Sequence, residues 1–72
     1  MSTFTDRLKE CRKNIGKTQK DVARYLGITE NGYQSYEIGK REPKIETLNK
    51  IADCFDVSID YLTGRSENPN RL

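Results

Sequence analysis

A chain of 72 residues holds one domain, near the lower end of what a single hydrophobic core stabilises without disulfides or a structural metal. Hydrophobic and charged residues each make up 33%, which reads as a soluble chain with a modest core; no run approaches the ~20 apolar residues of a membrane span and no signal-peptide core follows Met1, so the expected compartment is the cytoplasm. Net charge is only +2, yet residues 1–24 carry seven Lys or Arg against three Asp or Glu, while residues 25–72 carry six against eight, so positive charge gathers at the N-terminal end.

The first helix is expected from Phe4 to Asn14, capped by Thr3 with Asp6 three residues on. Phe4, Leu8 and Cys11, followed by Ile15, form its apolar stripe, and Gly16 ends it. Thr18 caps a second helix through a capping box with Asp21, and Val22, Ala23 and Leu26 share one face of it. Gly27 stops that helix because glycine tolerates the left-handed conformation that helix ends commonly need, and Ile28 folds back against the turn before it.

Thr29 starts a third helix, in which Tyr33, Tyr36 and the stem of Glu37 share a face at about 100° per residue. Asn31, Gln34, Ser35 and Ile38 fall on the other side, a short outward surface rich in hydrogen-bonding groups. A small Ala23 that allows close helix crossing, with glycine four residues later at the corner, is the physical recipe for a helix-turn-helix. The i, i+3 spacing of Tyr33 and Tyr36 on the inward face favours core packing over base stacking.

GKREP, residues 39–43, is a loop that places Lys40 and Arg41 beside the third helix, and Pro43 prevents that helix from continuing. The fourth helix, about Lys44 to Phe55, carries a core-facing stripe of Ile45, Leu48, Ile51, Ala52 and Phe55. Ser58 caps a last short helix with Ile59, Tyr61 and Leu62, ending at Gly64. The domain is thus expected over residues 1–64, and the polar residues 65–72 are expected to fray.

Catalysis and metal binding find little support. With no histidine and no CxxC, Cys11 and Cys54 supply no usual zinc site and read as small apolar residues; no cofactor is expected. No glycine-rich phosphate loop occurs, and the acidic residues are scattered among basic ones at helical spacing, which points to surface ion pairs and not to an enzyme. A core this small leaves little room for a pocket, and no small-molecule ligand is evident.

The run TQxxxAxxLGIT, followed by YxxYExGKREP, IETLxKIAD and VSIDYLTG, resembles the Cro and phage-repressor class of DNA-binding domains over roughly residues 4 to 64. The resemblance implies an all-α, five-helix, lambda-repressor-like domain whose second and third helices read duplex DNA. It implies base-facing positions at Glu30, Asn31 and Ser35, with Gln34 on the flank of that face; Asn suits adenine, and Glu can accept from cytosine N4. Gln19 and Thr29 match backbone-contacting positions, and Lys40, Arg41 and Lys44 lie where cations reach phosphates. Arg12 matches a basic residue paired with Glu37. Ile59 and Leu62 match the region where related domains meet across a two-fold axis.

The expected function is therefore that of a small transcriptional regulator, a repressor acting as a homodimer on a palindromic operator. An antitoxin or restriction-modification controller of the same fold, or a protein-interaction module without DNA binding, remains the alternative.

Overall fold

The computed structural model describes residues 3–70, and all their regular structure is helical. The elements are α1 (Thr3–Asn14), α2 (Gln19–Leu26), α3 (Glu30–Glu37), α4 (Ile45–Phe55) and α5 (Ile59–Thr63). Packing places α2 on α3 and α4, α1 on α3 and α5, and α4 against α5. Leu8, Val22, Ala23, Leu26, Tyr33, Ile51, Ala52, Phe55 and Leu62 meet in one buried cluster, as the apolar periodicity requires.

Three expectations about helix ends change. Thr3 is already helical and does not cap α1. Ile15, with 41% of its surface exposed, leaves the stripe because α1 stops at Asn14, one residue before it. Ile45 is 64% exposed for a different reason: it opens α4, whose N-cap is Lys44, and side chains lean toward a helix's N-terminus, so those of the first turn project past the packed surface.

The end of α4 is built differently from the glycine-capped helices. Asp56 adopts the left-handed conformation (φ 55°), which Asp tolerates better than most residues, and Val57 N–H then donates to Ala52 O at 3.1 Å. This turn carries Val57 into the core. Gly64 closes α5 at φ 86°, a conformation that favours glycine, and a β-carbon there would lie 3.0 Å from Thr3 Cγ2, so the Thr3 side chain would have to shift to admit one.

The expected frayed tail folds back instead, through residue 70; residues 71 and 72 lie outside the described residues. Arg7 Nη1 donates to Tyr61 O (2.6 Å) and Ser66 O (2.7 Å), with its guanidinium 3.9 Å from the centre of the Tyr61 ring. Ser58 N–H donates to Pro69 O at 3.0 Å, so residues 65–70 run back across α5 to its start.

Candidate nucleic-acid interface

The α2–α3 unit is held by its own short-range chemistry. Thr18 Oγ1 accepts from Asp21 N–H (3.1 Å) while Asp21 Oδ2 accepts from Thr18 N–H (3.0 Å), a complete capping box that holds the Asp21 carboxyl below its usual range. Gly27 turns the chain at φ 74°, and Ile28 N–H closes the corner on Ala23 O at 3.0 Å. Thr29 Oγ1 then accepts from Gly32 N–H at 3.0 Å and opens α3. Buried Val22, Ala23 and Tyr33 hold the two helices on the core, so the outer face of α3 is displayed from a rigid base.

That face is made of Glu30, Asn31, Gln34 and Ile38, all exposed, Ile38 by 64%. Neither the Asn31 nor the Gln34 side chain holds a hydrogen bond to the described residues, so both are open to an outside partner. Ser35 corrects the sequence expectation: it is only 9% exposed, and its hydroxyl donates to Gly32 O at 2.6 Å. Helical spacing alone turns it outward. The following loop covers it, because Ser35 O accepts both Lys40 N–H (2.9 Å) and Arg41 N–H (3.2 Å).

Those same two bonds fix the loop against the end of α3, leaving the side chains of Lys40 and Arg41 exposed. Lys44 is exposed beside them and makes no side-chain capping bond to α4. The hydrogen-bonding face of α3 is therefore bordered by three cations at its C-terminal end. A cleft of about 390 Å³ lies behind this loop, lined by Phe4, Tyr36, Pro43 and Leu48 among others; its charged lining residues are Arg41 and Glu42.

Below the loop, Glu37 is the buried anchor. Arg12 Nε donates to Oε2 at 2.6 Å and Nη2 to Oε1 at 3.2 Å, while Gln19 Nε2 donates to Oε1 at 3.0 Å. Arg12 Nη1 also reaches Lys17 O at 3.1 Å, so one side chain ties α1, the α1–α2 connector and α3 together. Burial pushes the Glu37 carboxyl up, but hydrogen bonding to Arg12 and its neighbours outweighs burial and leaves it below its usual range. The Tyr33 hydroxyl is buried beside it without a partner in hydrogen-bonding geometry, and burial pushes its pKa up. Gln19, expected at the DNA backbone, thus has its amide nitrogen engaged in bracing α3.

The residues expected at a dimer contact separate. Leu62 is fully buried in the domain core and is not available to a second copy, which corrects its placement at an interface, whereas Ile59 is half-buried. Arg7, which the sequence does not single out, latches α1 to residues 61 and 66; its partners are backbone carbonyls more than 50 positions away, and carbonyls leave no mark in a side-chain pattern. Among the described residues, no group of three or more His, Cys, Asp or Glu is placed to hold a metal ion, and no helix is long and apolar enough to cross a membrane.

A helix-turn-helix family model of the Cro and phage-repressor type matches residues 8–62. The chain is 49% identical over 59 residues to an SPbeta prophage-derived HTH-type transcriptional regulator, YonR, of Bacillus subtilis, covering 82% of this chain and 55% of that protein. It is 47% identical over 60 residues to the cryptic phage CTXphi transcriptional repressor RstR of Vibrio cholerae, covering 83% and 54%. The chain thus spans about half the length of these curated relatives. Among solved structures, the P22 c2 repressor in complex with a synthetic operator shares the fold with a TM-score of 0.82 at 22% identity, covering 88% of this chain and 96% of that one.

Proposed function

The chain belongs to the Cro and phage-repressor class of helix-turn-helix domains, and on that premise we propose that it binds duplex DNA sequence-selectively as a transcriptional regulator, in the manner of a repressor. The observation that carries this reading is the outer face of α3, where the side chains of Asn31 and Gln34 are exposed, without a hydrogen bond to the described residues, and bordered by Lys40, Arg41 and Lys44. Asn31, in the first turn of α3, is positioned to pair with adenine N6 and N7 in the major groove. Glu30 beside it selects against sites that offer no donor, and Ile38 presents an apolar contact to a thymine methyl. Thr29 and the cations approach phosphates, which position the domain without reading sequence. Ser35 contributes no direct contact in this reading, because its hydroxyl is engaged within α3.

Two copies with recognition helices about 34 Å apart would read a palindromic operator in the cytoplasm, with Ile59 contributing to the contact between them. Three reading residues supply limited specificity alone, and duplication roughly doubles it.

The experiment is to select bound sequences from a random duplex library and then compare two variants on a selected and an unselected duplex. Asn31→Ala should lose about 1 to 3 kcal/mol on the selected duplex and almost nothing on the unselected one. Lys40→Ala should weaken both equally and lower the salt slope by about one. Equal losses on both duplexes for Asn31→Ala, with the fold intact, would reject this placement of the reading helix.

A further inference from the structure

We propose that the cleft of about 390 Å³ behind the loop after α3 binds a free α-amino acid with an aromatic side chain, and that the bound ligand draws Arg41 away from DNA; the second half rests on the DNA-binding reading above. The volume lies near the lower end of the roughly 300 to 1,000 Å³ usual for small-molecule sites, so it suits one amino acid and is too small for a helix. Phe4 of α1, Tyr36 of α3 and Leu48 of α4 pack partly against the core, and with Pro43 they give the cleft an apolar lining. A β-carbon at Gly39 would lie 3.5 Å from Thr5 Cγ2, so the loop rests against α1 at this edge. Lys40 N–H and Arg41 N–H both donate to Ser35 O, which holds the outer wall in place before any ligand arrives.

The charged lining decides the occupant. Arg41 and Glu42 are consecutive, exposed and of opposite sign, so the lining presents a dipole and not a net charge. A phosphate or a nucleotide would meet the Glu42 carboxylate as well as the Arg41 guanidinium, and a wholly apolar molecule would leave both to water. A free amino acid answers both, because its carboxylate accepts from the guanidinium in the two-pronged geometry that arginine favours and its ammonium donates to Glu42. Consecutive Cα atoms are about 3.8 Å apart, so two long side chains can meet the two charges borne by one carbon of the ligand. The ligand's ring then lies against Phe4 and Tyr36, where offset or edge contacts between aromatic rings favour it over an aliphatic chain. Arg41 is also one of the cations placed on phosphates in the DNA-bound state. The same guanidinium serves ligand or DNA backbone, and each therefore weakens the binding of the other.

The test is titration of the whole chain, without DNA, by L-phenylalanine, followed through backbone amide resonances. Saturable shifts should centre on Tyr36, Gly39, Arg41, Glu42 and Leu48, with a dissociation constant on the order of millimolar, since the ligand is small and the rim is open to water. 3-Phenylpropionate, which lacks the ammonium, should bind the wild type about 2- to 5-fold more weakly, as for an exposed ion pair, and the two ligands should bind Glu42→Gln equally. N-acetyl-L-phenylalaninamide, which carries neither charge, should bind the wild type more weakly still. Glu42 is exposed, so Glu42→Gln should keep its melting temperature and still bind duplex. Saturating L-phenylalanine should then lower the wild-type slope of log K against log salt by about 0.9, corresponding to one phosphate, on selected and unselected duplexes alike. An absence of saturable shifts, equal binding of the uncharged amide, or shifts at the same amides that follow protein concentration and not ligand overturns the site, the last in favour of a contact between two copies. Ligand binding with an unchanged salt slope overturns the link to Arg41. Wild-type protein that takes up L-phenylalanine yet binds no duplex at any salt keeps the site and removes the DNA-binding reading.

Discussion

Replacing Arg12 by methionine would strand the Glu37 carboxylate, whose side chain is 2% exposed, with Gln19 as its remaining bonded donor. Removing one partner of a buried ion pair costs about 3 to 5 kcal/mol, because the other charge is left desolvated. Arg12 is itself 15% exposed and Gln19 stays in place, so the expected cost is lower, about 2 to 4 kcal/mol. A domain of this size shifts its melting temperature by about 4 to 8 °C per kcal/mol, which gives a drop of at least about 8 °C at pH 7 by thermal unfolding followed with circular dichroism. The pH dependence has a sign. In the wild type the Glu37 pKa lies below its usual value, so the stabilisation is complete above the unfolded value and is lost as pH falls through the folded one. Without Arg12, burial raises the Glu37 pKa, so acid protonates the stranded carboxylate and relieves the variant. The gap between the two proteins should therefore narrow toward about pH 4. Glu37→Gln should be milder, because it leaves a guanidinium that still bonds Lys17 O and partly reaches water. Equal melting temperatures for wild type and Arg12→Met, or a gap that widens in acid, would refute this account of the network.

Two further outcomes test the supports of the site. Thr29→Ala removes the cap that accepts Gly32 N–H and should cost about 1 kcal/mol, read as a fall of about 4 to 8 °C in melting temperature; an unchanged transition would show that the cap is not what starts α3. Arg7→Met should free residues 65–70, read as faster amide exchange at Ser58 and early proteolysis after Gly64, while α3 amides keep their protection; wild-type exchange at Ser58 would show that the latch does not depend on Arg7.

Much of the domain is written in short-range patterns. The Thr18 capping box, the Gly27 corner, the Thr29 cap and the Ser58 cap are each fixed within a few residues, so sequence spacing was enough to locate α2, α3 and α5. Likewise, the apolar stripes of α2 and α4 identified Val22, Leu26, Ile51 and Phe55 as core, because periodicity is itself the imprint of burial on one side. The pairing of Arg12 with Glu37 came from family resemblance, since no local pattern joins residues 25 positions apart.

What the tertiary structure alone decided concerns positions where a second segment arrives. Ser35 lies outward on a helical wheel, yet the returning backbone of Lys40 and Arg41 covers it, and a wheel contains no information about the loop that follows. Leu62 belongs to the core and not to a dimer contact, because α5 is too short for its few apolar positions to declare which neighbour they face. Residues 65–70 read as a polar tail, but their backbone finds partners on Arg7 and Ser58. Backbone donors and acceptors are the same at every non-proline position, so composition is silent about where they pair; only the assembled fold decides it.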